Sequence, residues 1–107
     1  MNDWVSINGT VLPASEGTIP IYDRGFLYGD SVFEMLRTYG GRPHALDLHL
    51  DRLRLSASRV VMELEASDET LRRQLETLLQ RMGDGESYIR LIVTRGDGEF
   101  GLAPDLA

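Results

Sequence analysis

The sequence predicts an α+β domain: a mainly antiparallel sheet with two helices on one face. Three observations carry that reading. Apolar and β-branched runs broken at Asn8-Gly9 and Gly40-Gly41 open the chain, two apolar stripes at helical spacing fill residues 46–82, and Ser87 to Arg95 alternates like a strand. The order is strands, helix, helix, strand, without internal repeats or low-complexity segments.

Trp4-Val5-Ser6-Ile7, the turn Asn8-Gly9 and Thr10-Val11-Leu12 read as a tight β-hairpin. Pro13 to Thr18 is a loop, and Ile19-Pro20-Ile21-Tyr22 reads as a short edge segment, since Pro20 cannot donate to a ladder. The next stretch, Tyr22 to Glu34, crowds glycines, aspartates and aromatics together before strand character runs on to Tyr39. Gly25 and Gly29 permit backbone angles or close approaches that a Cβ forbids. This stretch is either a plain hairpin entry or a loop that delivers aromatics to a pocket wall. Gly40-Gly41 then turns the chain into a returning strand, Arg42 to Leu46.

Asp47 is a credible N-cap for a helix from about Leu48 to Met62, with Leu46, Leu50, Leu53, Ala57 and Val60 or Val61 as its apolar stripe. Ser67 or Asp68 caps a second helix, striped by Leu71, Leu75, Leu78, Leu79 and Met82 and stopped by Gly83. In the last strand Ile89, Leu91 and Val93 face one way, and Tyr88, Arg90, Ile92 and Thr94 the other. Gly96 to Gly101 is a glycine-rich loop, and Leu102 to Ala107 reads as a linker.

The 107 residues fit one domain with an adequate core. A net charge of −6 argues against a nucleic-acid backbone as the main partner. No cysteine is present, which removes disulfides and thiolate metal sites. The N-terminus carries no leader pattern and no run approaches membrane-spanning length, so a soluble, cytoplasmic protein is expected. All 11 basic residues counted as Lys or Arg are arginine. No side chain here can therefore form a Schiff base, which needs a lysine amine.

Among candidate site residues, His49 and Arg52 share one helix face, where they could grip a phosphate or pair with a neighbouring acid. Arg90 sits mid-strand among apolar neighbours, where a charge requires a carboxylate partner from the protein or from a substrate. Tyr28 and Tyr88 are amphipathic, as pocket walls or as half-buried packing. The loop Gly96 to Gly101 could cradle an anion through backbone N–H groups. No metal site is expected: His44 and His49 are poorly spaced, and the acids fall mostly on helix surfaces.

Three motifs line up in order. Tyr22-Asp23-Arg24-Gly25-Phe26-Leu27-Tyr28-Gly29-Asp30-Ser31-Val32-Phe33-Glu34, Leu46-Asp47-Leu48-His49-Leu50-Asp51-Arg52-Leu53 and Tyr88-Ile89-Arg90-Leu91-Ile92-Val93-Thr94-Arg95-Gly96 strongly resemble the class IV (fold type IV) pyridoxal-phosphate enzymes. That family holds branched-chain aminotransferases, D-amino-acid aminotransferases and aminodeoxychorismate lyase. The resemblance runs from about Trp4 to Pro104 and matches the family's small N-terminal domain. It implies residues 1–101 as that domain and 102–107 as the start of an interdomain linker, with the large lysine-bearing domain absent. The chain is then expected to be a fragment or truncated product, inactive alone and prone to self-association through surface that normally meets its partner domain.

The resemblance also implies roles. Arg52 corresponds to the arginine that holds the phosphate of pyridoxal 5'-phosphate. Tyr28 and Phe33 fall at substrate-pocket wall positions, with Tyr28 reaching the neighbouring subunit's site in a homodimer. Arg90 matches the arginine that branched-chain aminotransferases use for the side-chain carboxylate of glutamate, and Gly96 to Leu102 matches a loop bordering the pocket. The implied reaction moves an amino group between an amino acid, branched-chain type favoured, and 2-oxoglutarate. Met35 stands where branched-chain enzymes commonly have glycine, and Phe33 where D-specific enzymes typically have tyrosine. The Arg-x-His carboxylate trap of the D-specific enzymes is also missing after Arg95. Aminodeoxychorismate lyase is the nearest rival within the family, and a non-catalytic module that dimerises or binds an anion is the rival outside it.

Overall fold

The computed structural model describes residues 3–96. Strands β1 (Trp4–Ile7) and β2 (Thr10–Pro13) form an antiparallel ribbon of their own. Asn8 and Gly9 both have positive φ (51° and 88°), the signature of the type I′ turn that matches strand twist. The ribbon lies against the second long helix, where the Arg81 guanidinium sits 5.6 Å from the Trp4 ring centroid.

The main sheet has three antiparallel strands, with β3 (Ser31–Tyr39) between the short β4 (Arg42–Pro43) and β5 (Tyr88–Thr94). Registry between β3 and β5 pairs Phe33 with Ile92, Met35 with Arg90 and Arg37 with Tyr88. Helices α2 (Leu46–Arg59) and α3 (Asp68–Met82) cover one face. The core there is Leu36 and Ile89 from the sheet and Leu75 from α3, with Leu46, Leu79 and Leu91 packed around them. Glu34, Leu36 and Thr38 are buried while Phe33, Met35 and Tyr39 are exposed, so period-two alternation divides the sheet into a covered and an open face. The α+β class, the hairpin, both long helices and the final strand follow the sequence expectation.

Four expectations are corrected. Ile19 to Tyr22 forms no strand; Asp23 N donates to Pro20 O and closes a turn instead. The stretch before β3 contains a one-turn helix, α1 (Arg24–Tyr28), capped by the Asp23 carboxylate on Gly25 N and ended by Gly29 at φ 67°. The returning strand is only Arg42–Pro43: His44 N still donates to Arg37 O, but Ala45, at φ 54°, then turns the chain into the helix. Helix α2 begins at Leu46, so Asp47 is not its cap: Ala45, at φ 54°, holds that place. Asp47 lies in the first turn, where a negative charge suits the helix dipole, and it pairs with Arg72 of α3.

The end of α2 also differs from expectation. The helix stops at Arg59; Val60 and Val61 point outward, and Met62 turns back into the core. Met62 N donates to Ala57 O and Val61 N to Ser58 O, the paired bonds of a Schellman motif. The left-handed position of that motif, usually glycine, is Val61 at φ 54°. Serine and glycine behave as read at α3: Ser67 Oγ accepts from Thr70 N at 3.1 Å, and Gly83 is the C-cap.

Candidate functional site

Alternation along β3 places its chemistry on two faces. On the covered side, Glu34 is buried at 6 % exposure and needs partners for its charge. Helix α2 supplies them three residues apart. Arg52 Nε lies 3.0 Å from both Glu34 carboxylate oxygens, and Arg52 Nη2 lies 2.7 Å from Oε1. His49 Nδ1 is 2.7 Å from the same Oε1. The hydrogen bonds from Arg52 hold the Glu34 carboxyl below the ordinary glutamate range, overcoming the opposing effect of burial, with His49 adding to the shift. Reciprocally, Glu34 raises the pKa of Arg52, which stays a cation throughout. The Arg52 side chain is still 66 % exposed, and its Nη1 makes no hydrogen bond among the described residues. One edge of the guanidinium is thus anchored and another is free. That free edge suits a phosphate, so the residues present fit the group that the resemblance implies.

On the open face stand Phe33, Met35, Arg37 and Tyr39 of β3 and Tyr88, Arg90 and Ile92 of β5. Phe33 is 51 % and Tyr88 79 % exposed. The Arg90 guanidinium lies 4.5 Å from the Phe33 ring centroid, and that of Arg37 lies 4.3 Å from Tyr39 and 5.6 Å from Tyr88. Arg37 also reaches Glu86 at a loose 4.0 Å. Arg90 makes no ion pair among the described residues. The sequence argument that Arg90 is a charge in apolar surroundings is corrected: it is exposed, and a ring face rather than a carboxylate flanks it. A substrate carboxylate remains the partner it could take.

Phe33 and Arg90 are therefore brought together, while Arg52 belongs to the opposite side of β3 through Glu34. Tyr28 stands exposed at the last position of α1. Of the glycine-rich loop only Gly96 lies within the described residues, and its carbonyl accepts from Arg24 N at 2.8 Å. The rest of that loop and the linker expected at 102–107 lie outside them.

Sequence reasoning missed Glu34 as the anchor of Arg52, although its alternation with Phe33 and Leu36 marks it as an inward acid. It also missed Asp23. One carboxylate oxygen of Asp23 caps α1, and the other accepts from Thr94 Oγ1 at 2.9 Å, tying α1 to the end of β5. Arg95 adds a second tie, pairing with Asp30 at 2.6 Å and donating to the Val60 and Val61 carbonyls that end α2.

Two hollows of the surface lie elsewhere. One of about 460 Å³, between the hairpin and the end of α3, is lined by Asp3, Trp4, Pro13, Ala14, Arg81 and Met82, and another by residues of the β3–β4 turn and α3. Neither touches Tyr28, Phe33, Arg52 or Arg90. The candidate site is an open wall, to which the described residues supply no opposite side. Among those residues, no three His, Cys, Asp or Glu side chains gather as metal ligands, and no helix is long and apolar enough to cross a membrane.

Comparison with known proteins bears on the sequence and the fold. Residues 31–107 match the family of class IV amino-transferases. The chain is 35 % identical over 100 residues to a putative branched-chain-amino-acid aminotransferase of Methanocaldococcus jannaschii, covering 94 % of this chain and 35 % of that protein. It is 38 % identical over 94 residues to the D-alanine aminotransferase of Bacillus licheniformis, covering 86 % and 32 %. In structure it resembles a fold IV-transaminase from Curtobacterium pusillum, at TM-score 0.74 and 33 % identity, covering 82 % of this chain and 32 % of that one. The chain spans about a third of the length of the curated relatives it matches. Three separated motifs, one alternating β3 and a common fold converge: the chain belongs to the class IV aminotransferase family.

Proposed function

We propose that residues 1–101 form the small N-terminal domain of a pyridoxal-phosphate-dependent aminotransferase, a homodimer that transfers an amino group between a branched-chain amino acid and 2-oxoglutarate. The observation that carries the substrate reading is Arg90. It is an exposed arginine on β5, stacked on Phe33 of the adjoining β3, with no carboxylate of the described chain to neutralise it.

When bound, pyridoxal phosphate supplies the electron sink for amino-group transfer. Arg52, anchored by Glu34, holds its phosphate through the free guanidinium edge. Arg90 takes the side-chain carboxylate of the glutamate and 2-oxoglutarate pair, where a planar fork fixes orientation as well as charge. Phe33 and Met35 supply apolar surface that accepts a branched side chain when the other substrate occupies the same place. Tyr28 lines the neighbouring subunit's site. The proton-carrying lysine must come from the remainder of the full-length protein, because these 107 residues contain none.

The test uses the full-length gene product. After treatment with pyridoxal phosphate and borohydride, its intact mass is expected to show one reduced cofactor on a lysine outside these residues. Arg90→Ala is expected to raise KM for 2-oxoglutarate by at least tenfold while KM for the branched-chain amino acid changes little. Unchanged glutamate and 2-oxoglutarate kinetics would remove Arg90 from this role. Turnover of aminodeoxychorismate in preference to branched-chain amino acids would move the protein to the lyase branch of the family.

A further inference from the structure

The covered side of β3 carries more than an arginine. Glu34 projects from the strand into the space under α2, and both basic side chains that α2 offers there, His49 and Arg52, converge on its carboxylate. Oε1 alone receives Arg52 Nη2 at 2.7 Å and lies 2.7 Å from His49 Nδ1. Glu34 is nearly inaccessible, whereas Arg52 is two-thirds exposed. The buried partner is thus the fixed one and the exposed partner the one being held.

We infer that Glu34 is a positioning residue, and that its carboxylate fixes the plane and direction of the Arg52 guanidinium so that the outward edge meets a phosphate monoester. This rests on the proposed cofactor role of Arg52. The Nε–Nη2 edge is spent on Glu34, which leaves Nη1 and the outward N–H of Nη2 as a second fork in the same rigid plane. An exposed arginine without an anchor samples many rotamers, and binding must then freeze them. With the anchor, that ordering is complete before the phosphate arrives. His49 completes the arrangement by holding Oε1 from the next turn of α2.

Electrostatics and positioning predict opposite signs here, which makes the inference testable. Glu34→Gln removes a negative charge about one guanidinium width from the phosphate, and by charge alone it should strengthen anion binding. By positioning it should weaken binding, because an amide cannot accept both N–H groups of the Arg52 edge as a carboxylate does. The experiment measures dissociation constants of pyridoxamine 5'-phosphate and of pyridoxamine for the full-length protein and for Glu34→Gln, by equilibrium dialysis. These ligands avoid the contribution of the lysine linkage. The expected result is about tenfold weaker binding of the phosphorylated ligand, the low end of what loss of a partner that orients a metal ligand costs, with pyridoxamine unchanged. Equal or tighter binding of pyridoxamine 5'-phosphate by Glu34→Gln overturns the positioning role and leaves the cofactor role of Arg52 standing. Failure of the unmodified protein to prefer pyridoxamine 5'-phosphate over pyridoxamine overturns the cofactor reading, and this inference with it.

Should Glu34→Gln not fold, the unmodified protein answers the same question by NMR of the arginine side chains. The Arg52 Nε–H signal is expected to be protected from exchange before phosphate is added and to stay in place during a phosphate titration, while the Nη signals move. A rapidly exchanging Arg52 Nε–H in the phosphate-free protein overturns the proposal.

Discussion

At the scale of single residues, two side chains have consequences for stability that can be given a sign. Val61 occupies the left-handed position of the α2 Schellman motif at φ 54° while 77 % exposed. A non-glycine residue there costs about 1–2 kcal/mol, and a β-branched one sits at the upper end. Glycine returns about 0.5–1 kcal/mol of that through its greater freedom in the unfolded chain. Val61→Gly is therefore expected to stabilise by about 0.5–1 kcal/mol, seen as a higher urea midpoint with an unchanged slope. A lower midpoint would mean that the Val61 side chain contributes packing that its exposure does not suggest. Glu34 gives the pH dependence. Its folded pKa lies below the ordinary 4.5, so the unfolded chain binds the proton more readily. The resulting stability is fully present above the ordinary value and is lost as pH falls through the depressed folded one. The melting-temperature difference between the unmodified chain and Glu34→Gln should shrink as pH falls below about 5. A difference that holds undiminished to pH 3 would contradict the ion-pair account.

At the scale of elements, the junction of α1 with β5 decides how the wall is aimed. Asp23 caps α1 and binds Thr94, Arg24 N reaches Gly96 O, and Gly25 lies against Thr94 without a Cβ. A Cβ at Gly25 would meet Thr94 Cγ2 at 2.5 Å and Asp23 Oδ1 at 2.9 Å. Thr94 cannot swing aside freely, since its hydroxyl donates to Asp23 and accepts from Gly96 N. Helix propensity favours alanine over glycine by about 1 kcal/mol, but overpacking against a pinned β-branched residue costs about 1–3 kcal/mol. Gly25→Ala is expected to destabilise on balance, and Thr94→Ser, which removes Cγ2 and keeps the hydroxyl, should recover part of the loss in the double variant. Additive losses would show that the close approach is not the cause. This junction also marks where sequence reasoning stops. The hairpin, α3 with its Ser67 cap, and β5 were legible because Asn8-Gly9, the leucine stripe and the 88–94 alternation are local signals. Helix α1 was not, because a single turn is too short to show a period and the bonds that tie it to the fold reach residues 94 and 96. The end of α2 was misread for a similar reason: Val60 and Val61 continue the apolar spacing, but the carbonyls that Arg95 captures are 34 and 35 residues away from it in the chain.

At the scale of the whole molecule, the division of the sheet into two faces explains why the candidate site was only half legible. Residue types and spacing singled out Arg52 and Arg90, and the family resemblance added Phe33, but only the register of β3 against β5 shows that Phe33 and Arg90 share the open face while Glu34 turns away to hold Arg52. That open face joins Phe33, Met35, Tyr39, Tyr88 and Ile92, all more than half exposed, on a molecule whose net charge of −6 otherwise favours separation. A contiguous apolar face of this kind on a small domain marks a surface that is covered when in use. The two arginines on it, Arg37 and Arg90, lay their guanidinium groups over its rings. The 107-residue chain alone is therefore expected to associate through this face, with an apparent mass in sedimentation equilibrium that rises with concentration. Placing a second positive charge at its centre, Met35→Arg, should shift the association midpoint at least tenfold upward in concentration, because Met35 lies directly opposite Arg90 on the neighbouring strand, where like charges cannot pair, and is half exposed. Salt separates this from ion pairing between copies: burial of an apolar face strengthens or holds as ionic strength rises, whereas association through the arginines weakens. A chain that stays monomeric at the highest soluble concentration would show that the open face needs no cover, and would favour an isolated anion-binding module over one wall of a larger enzyme.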